Sequence, residues 1–120
     1  MTDMAKEMIY RFVDAINEKD FKALDEVLHD DATFRFPKID DQVGKKAVIR
    51  FFKVMSRKYT ELKWMVYEDV FEGDQAVLIW DSTGELRGGG SYENEGVTTF
   101  KLKDGKLLFI SDYLKRTEMF

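Results

Sequence analysis

The chain of 120 residues has no cysteine, one proline and one histidine. Without thiols there are no disulfides, no thiolate zinc sites and no cysteine nucleophile. A lone His29 argues against a His-rich metal site and against a Ser-His-Asp triad. Basic charge is short as well: 19 Lys and Arg against 23 Asp and Glu give a net charge of -4, the wrong sign for a general nucleic-acid binder. No apolar run approaches the roughly 20 residues that a membrane-spanning helix needs. The start, Met1-Thr2-Asp3-Met4-Ala5-Lys6-Glu7, is polar and charged, unlike a signal peptide. A cytoplasmic protein with no membrane or nucleic-acid partner, and with no metal or cofactor, is expected. Internal repeats, low-complexity segments and linkers are also missing, so residues 1–120 read as one domain.

Aromatic residues, by contrast, are plentiful: ten Phe, five Tyr and two Trp. Area scaling for 14.1 kDa gives a folded surface of roughly 6,700 Å² against roughly 20,000 Å² for the unfolded chain. About two thirds of the surface is therefore available for burial. So many flat side chains in so small a core mean a tightly filled interior or a cavity with aromatic walls, and composition does not choose between them.

Periodicity divides the chain. Ala5, Met8, Ile9, Phe12, Val13 and Ile16 recur at helical steps, with Thr2 or Asp3 as candidate cap. Asp20 is placed to cap a short second helix carrying Phe21, Leu24, Val27 and Leu28, which His29-Asp30-Asp31 ends. Ala32 to Pro37 alternates as a strand, with Phe34 and Phe36 on one side. Lys38 to Val43 reads as a polar loop, and Gly44 to Lys58 is helical again. Four strands follow, at Glu61–Phe71, Ala76–Leu86, Tyr92–Leu102 and Lys106–Arg116. Asp104-Gly105 between the last two is a type I′ turn signal. Helices gathered against an antiparallel meander make an α+β domain.

The order and several local patterns resemble the nuclear transport factor 2-like superfamily. Within it, the chain is similar to the SnoaL-like group of polyketide cyclases, ketosteroid isomerases and limonene epoxide hydrolases. The likeness rests on Phe12-Val13-Asp14-Ala15-Ile16-Asn17-Glu18-Lys19-Asp20-Phe21, on Leu28-His29-Asp30-Asp31-Ala32-Thr33-Phe34 and on Gly44-Lys45-Lys46-Ala47-Val48. Gly73-Asp74-Gln75-Ala76-Val77, Trp80 to Gly84, and Asp104-Gly105-Lys106-Leu107 with Ser111-Asp112-Tyr113 extend it along the chain. The resemblance implies a cystatin-like cone (α-α-β-α-β-β-β-β), three helices on a strongly curved antiparallel sheet, and a homodimer formed through the outer sheet face.

Asp112 is the candidate catalytic residue. Alternation places it in a row with Leu108, Ile110 and Leu114. A carboxyl among apolar side chains is paired, neutral or used, and burial raises its pKa toward the range useful for proton transfer. Relatives in the SnoaL-like group carry an acid–base Asp at the matching position. A structural bond to a neighbouring Tyr or Arg is the alternative. Other family residues do not carry over: Phe36 stands where isomerases keep an Asp before the Pro, and Phe34 and Phe36 stand where epoxide hydrolases keep Tyr and Asn. The hydrolase Arg and second Asp are missing from the strand through Ser82 and Gly84. One acid in an apolar pocket fits an isomerase or cyclase acting on a small apolar or carbonyl-bearing molecule better than a hydrolase. A binding module, or a dimeric interaction domain with a filled core, remains open. Parity and resemblance give the candidate wall: Trp80, Ser82, Phe34, Phe36, Trp64, Tyr10, Phe12, Phe51 and Met55, with Ile16 and Phe52 nearby. A ligand-sized cavity, at least about 300 Å³, is required by both ligand readings. The outer face is expected to show Lys63, Met65, Tyr67 and Phe71 beside Phe109, Ser111 and Tyr113.

Overall fold

The computed structural model describes residues 2–117, with side chains from Met4 onward. The elements are α1 (Thr2–Glu18), α2 (Phe21–Val27), β1 (Leu28–Arg35), β2 (Gln42–Val43), α3 (Lys45–Lys58), β3 (Tyr59–Glu72), β4 (Gln75–Leu86), β5 (Ser91–Lys103) and β6 (Lys106–Leu114). The expected Thr2 or Asp3 cap of α1 lies outside the described side chains. Asp20 caps α2 as expected: its Oδ1 accepts the Ala23 N–H at 3.0 Å. The helix ends at Val27, so His29-Asp30-Asp31 already belongs to β1.

Three helices pack on one six-stranded sheet of order β2-β1-β6-β5-β4-β3. The expectation of an antiparallel sheet needs one correction: β1 runs parallel to β6, which makes the sheet mixed. The strand that follows α2 lies beside the last strand and not in the meander. The segment expected to be a polar loop contributes β2, which pairs antiparallel with β1 through Thr33↔Val43 and Phe34↔Gln42.

Bulges curl the sheet into a cone. In β3 the pairing with β4 slips between Thr60 and Lys63 and again between Val66 and Glu68. Each slip inserts a residue, bends the strand and raises its twist. The second reverses parity, so Phe71 pairs with Ala76 and packs against the core, contrary to its expected outer position. In β6 the pairing steps from Lys101↔Phe109 to Leu102↔Leu107. Leu107 therefore takes the core position expected of Leu108. The Asp104-Gly105 turn behaves as its composition predicts, with φ of 54° and 74°.

The interior is a connected set of rings. Phe12 meets Phe52 and Phe100 edge-on, each at 5.7 Å between centroids. Phe34 lies 4.9 Å from Phe52 and 5.1 Å from Phe51. Trp64 and Trp80 stack face to face at 4.7 Å and 2°. Gly96 stands directly across β4–β5 from Trp80. A Cβ built on Gly96 would fall 2.6 Å from two indole carbons of Trp80 and 2.8 Å from the Tyr113 carbonyl oxygen. Glycine is thus what lets the indole lie over β5.

Gly96→Ala tests that packing. The backbone carbonyl has no room to retreat, so the indole must leave its stack, at a cost of about 2–3 kcal/mol. Urea unfolding with tryptophan emission should show the lower midpoint and a red-shifted native spectrum. A loss below about 0.5 kcal/mol would refute the constraint.

Candidate active site

β6 carries Asp112 onto the inner face, directly opposite Thr98 of β5. Asp112 is 3% exposed. The Thr98 hydroxyl donates to Asp112 Oδ1 at 2.7 Å, and the Trp80 Nε1–H donates to Thr98 Oγ1 at 2.8 Å. Burial is the larger influence on the acid and outweighs the Thr98 hydrogen bond, which favours the ionised form. The net effect pushes the Asp112 pKa up to about 7.

Asp112 lines a cavity in the mouth of the cone. Phe36, Phe51, Phe52, Tyr59, Trp64, Trp80 and Tyr92 supply its rings, and Ile16, Met55, Leu62 and Leu114 complete it. The floor is buried (Tyr59, Trp64, Trp80, Tyr92), whereas Ile16, Phe51, Met55, Leu62 and Leu114 are partly exposed and form the rim. A second small cavity of about 20 Å³ shares Ile16, Phe52, Met55 and Leu62 and continues the opening between α1, α3 and β3. The main cavity holds about 30 Å³. A single buried water takes about 10–15 Å³ on this measure, so the space equals two or three waters. The expected ligand-sized volume is not there: the aromatic surplus largely fills the cone.

Of the expected wall, Trp80, Trp64, Phe36, Phe51 and Met55 do meet Asp112 around this space. Phe34 and Phe12 are fully buried behind the wall, packed on Phe52. Ser82 is buried beside Tyr92 and hydrogen-bonds its phenol instead of lining the cavity. Tyr10 is turned away toward β3, where its hydroxyl donates to Asp69 Oδ2. Burial, and then the Asp69 carboxylate, push that phenol up to about 12.

Thr98, Asn94, Tyr92 and Asn17 went unnoticed in the sequence. Asn94 Nδ2 donates to the Tyr92 hydroxyl and to the Arg116 carbonyl, while its Oδ1 accepts from Glu95 N and Arg116 N. It thereby ties the segment after β6 to the cavity floor. Asn17, at the end of α1, exchanges two hydrogen bonds with the Trp64 backbone, at 2.7 and 3.0 Å. This pins the bent edge strand to the helix and sets Trp64 at the cavity.

Several solved structures share this architecture. A proposed SnoaL-like polyketide cyclase from a Jannaschia species superposes with TM-score 0.86 at 20% identity, covering 93% of this chain and 85% of that one. A nuclear transport factor 2-like protein of unknown function from Burkholderia pseudomallei gives 0.89 at 16% identity, covering 98% and 95%. A hypothetical protein from Catenulispora acidiphila with a ketosteroid isomerase-like fold, in complex with trimethylamine, gives 0.82 at 14% identity, covering 89% and 84%. At these identities the likeness is one of fold. No functionally curated protein matches the chain in sequence. The sequence profile of the SnoaL-like domain matches residues 9–110, most of the three helices and the mixed sheet, and the chain belongs to the SnoaL-like domain family.

Proposed function

We propose that the chain is a cofactor-independent acid–base catalyst, an isomerase or cyclase in type, that acts on a small apolar or carbonyl-bearing molecule. Asp112 takes and returns the proton. The observation that carries this reading is a carboxyl that is buried in aromatic walls and lines the cavity, where burial pushes its pKa up to about 7, toward the range useful for proton transfer. The space beside Asp112, about 30 Å³ or two to three waters, falls well short of the roughly 300 Å³ that a ligand reading requires, so this reading depends on the rim side chains Met55 and Leu62 swinging out to admit the substrate. One face of the Trp80 indole is stacked on Trp64 and the other lies over Gly96. It therefore meets the cavity with its edge, which is the positive part of an aromatic ring and complements a carbonyl oxygen.

A second reading is favoured by the same small volume: a dimeric interaction domain whose cone is filled. Its surface is the outer sheet face, where Met65 (50% exposed), Tyr67 (61%), Val70 (54%) and Tyr113 (55%) leave apolar area in water. Phe109 on that face lies under Arg35 and Lys101, at 5.3 and 5.8 Å from the ring centre. Ser111, expected on that surface, is fully buried. The occupant proposed for it is a second copy of this chain.

The acid–base reading predicts how stability follows pH. The folded state keeps the Asp112 proton up to about pH 7, while the unfolded chain releases it near 3.8. Stability therefore falls as pH rises between these values and levels off above the folded pKa, by about 4 kcal/mol over the full shift. Urea unfolding of the native chain and of Asp112→Asn, compared from pH 4 to 8, should show this slope in their difference. A flat difference would mean an Asp112 that titrates ordinarily.

Catalysis has its own measurement. Acetone in deuterated buffer should exchange its methyl protons in the presence of the protein, and Asp112→Asn should slow this by about a hundredfold or more. Equal rates for the two proteins would remove the enzymatic reading.

For the second reading, sedimentation at micromolar concentration should give twice the 14.1 kDa chain mass. Met65→Glu with Tyr113→Glu should return it to one chain. A native monomer would rule the dimer out.

A further inference from the structure

The two oxygens of Asp112 stand in different surroundings. Oδ1 faces Thr98, whose hydroxyl donates to it. Thr98 is itself fully buried, and its oxygen already accepts the Trp80 indole proton. An indole N–H only donates, and a hydroxyl has one proton to give. Among the described residues Thr98 has no other hydrogen-bond partner, so its one proton has one place to go, Oδ1.

An acid proton on Oδ1 would point at an oxygen that already receives the indole, and it would strand the hydroxyl proton without an acceptor. Among the described residues Oδ2 has no hydrogen-bond partner. Yet the only buried side-chain polar atom without a partner among the described residues is Ser111 Oγ. Oδ2 therefore reaches open space, and the space beside Asp112 is the cavity.

We propose that Thr98 and Trp80 are positioning residues that hold the acid proton of Asp112 on Oδ2, toward the cavity, by reserving Oδ1 as a permanent acceptor. The proposal rests on the acid–base reading of the site and adds to it the oxygen through which the proton passes. When a ligand atom takes the proton from Oδ2, charge builds on a carboxylate whose other oxygen is already held by a donor. The Thr98 bond then strengthens and the indole N–H is polarised in turn. Among the described residues no other charged side chain lines the cavity. The other titratable groups lining it, among the described residues, are the Tyr59 and Tyr92 phenols, on β3 and β5, both raised by burial and neutral over the range concerned. The helices contribute only apolar side chains to the wall, and Trp64 is the neighbouring indole.

The chain has two tryptophans, so the test is direct. The indole ¹H–¹⁵N resonances of Trp64 and Trp80 would be followed from pH 3 to 9 beside the Asp112 carboxyl ¹³C signal. The Trp80 resonance should move with the same midpoint as Asp112, and should stop titrating in Asp112→Asn. Thr98→Ser should preserve the coupled movement. Thr98→Val should abolish it and raise the Asp112 midpoint by about one unit, a tenfold gain in proton affinity. Should Thr98→Val not fold, the serine and asparagine variants carry the test alone. A Trp80 resonance that stays still while Asp112 titrates near neutral pH overturns the relay and leaves the acid–base reading standing. Joint movement of both signals near pH 4 supports the relay and removes the acid–base reading instead.

Discussion

A buried indole has three demands to satisfy at once: two flat faces that need carbon, and one N–H that needs an acceptor. Trp80 meets them with Trp64 on one face, Gly96 on the other and Thr98 at the nitrogen. Much of the interior follows from this arrangement. Holding Trp64 in the stack requires the edge strand β3 to bend inward, which its two slips in pairing allow and the Asn17 side chain secures. Leaving room over β5 requires glycine at position 96. Giving the N–H a partner requires a hydroxyl at 98, and that hydroxyl then needs an acceptor, which Asp112 provides. The carboxyl is thus the end of a structural chain and, among the described residues, the one carboxyl that lines the cavity.

That double role decides how much of the site was legible beforehand. Alternation along the last strand is enough to put Asp112 with Ile110 and Leu114, and the helical and strand periods are enough to name most of the rings around it. The partner across the strand is a different matter. A two-residue turn at Asp104-Gly105 with even pairing would set Ser111 opposite Thr98 and leave Asp112 facing Val97. The inserted Leu108 moves the register by one, and Thr98 and Asp112 meet. Bulges depend on how a sheet must bend around its helices, a tertiary demand that single-strand alternation does not contain. The same holds for Phe71, which a slip at Tyr67 turns from the outer face to the core. Tyr10 fails for a related reason: helical periodicity gives a stripe, whereas the neighbour that captures the hydroxyl, Asp69, lies 59 residues away. Composition showed that aromatics were in excess but not that they would pack on each other so closely, because filling is a property of side-chain shape in three dimensions.

Filling and acidity are two effects of one cause. The Asp112 carboxyl is weakened as an acid because aromatic walls keep water away from its charged form. If the rim opened to admit a large substrate with its water, that influence would fade and the carboxyl would revert toward an ordinary aspartate, ionised and poorly suited to donate. A molecule that enters and replaces water with carbon keeps the group poised. In the acid–base reading proposed above, proton transfer at the site and the size of what it accepts are therefore linked. The closer a ligand fits the space beside Oδ2, the more nearly the acid retains the strength that burial gave it. A relative of the same fold with a wide, wet cone would need a second means of shifting its carboxyl, such as a second acid close by. Among the described residues Asp112 is the sole carboxyl lining the cavity, and desolvation by the rings takes over the task that charge performs elsewhere.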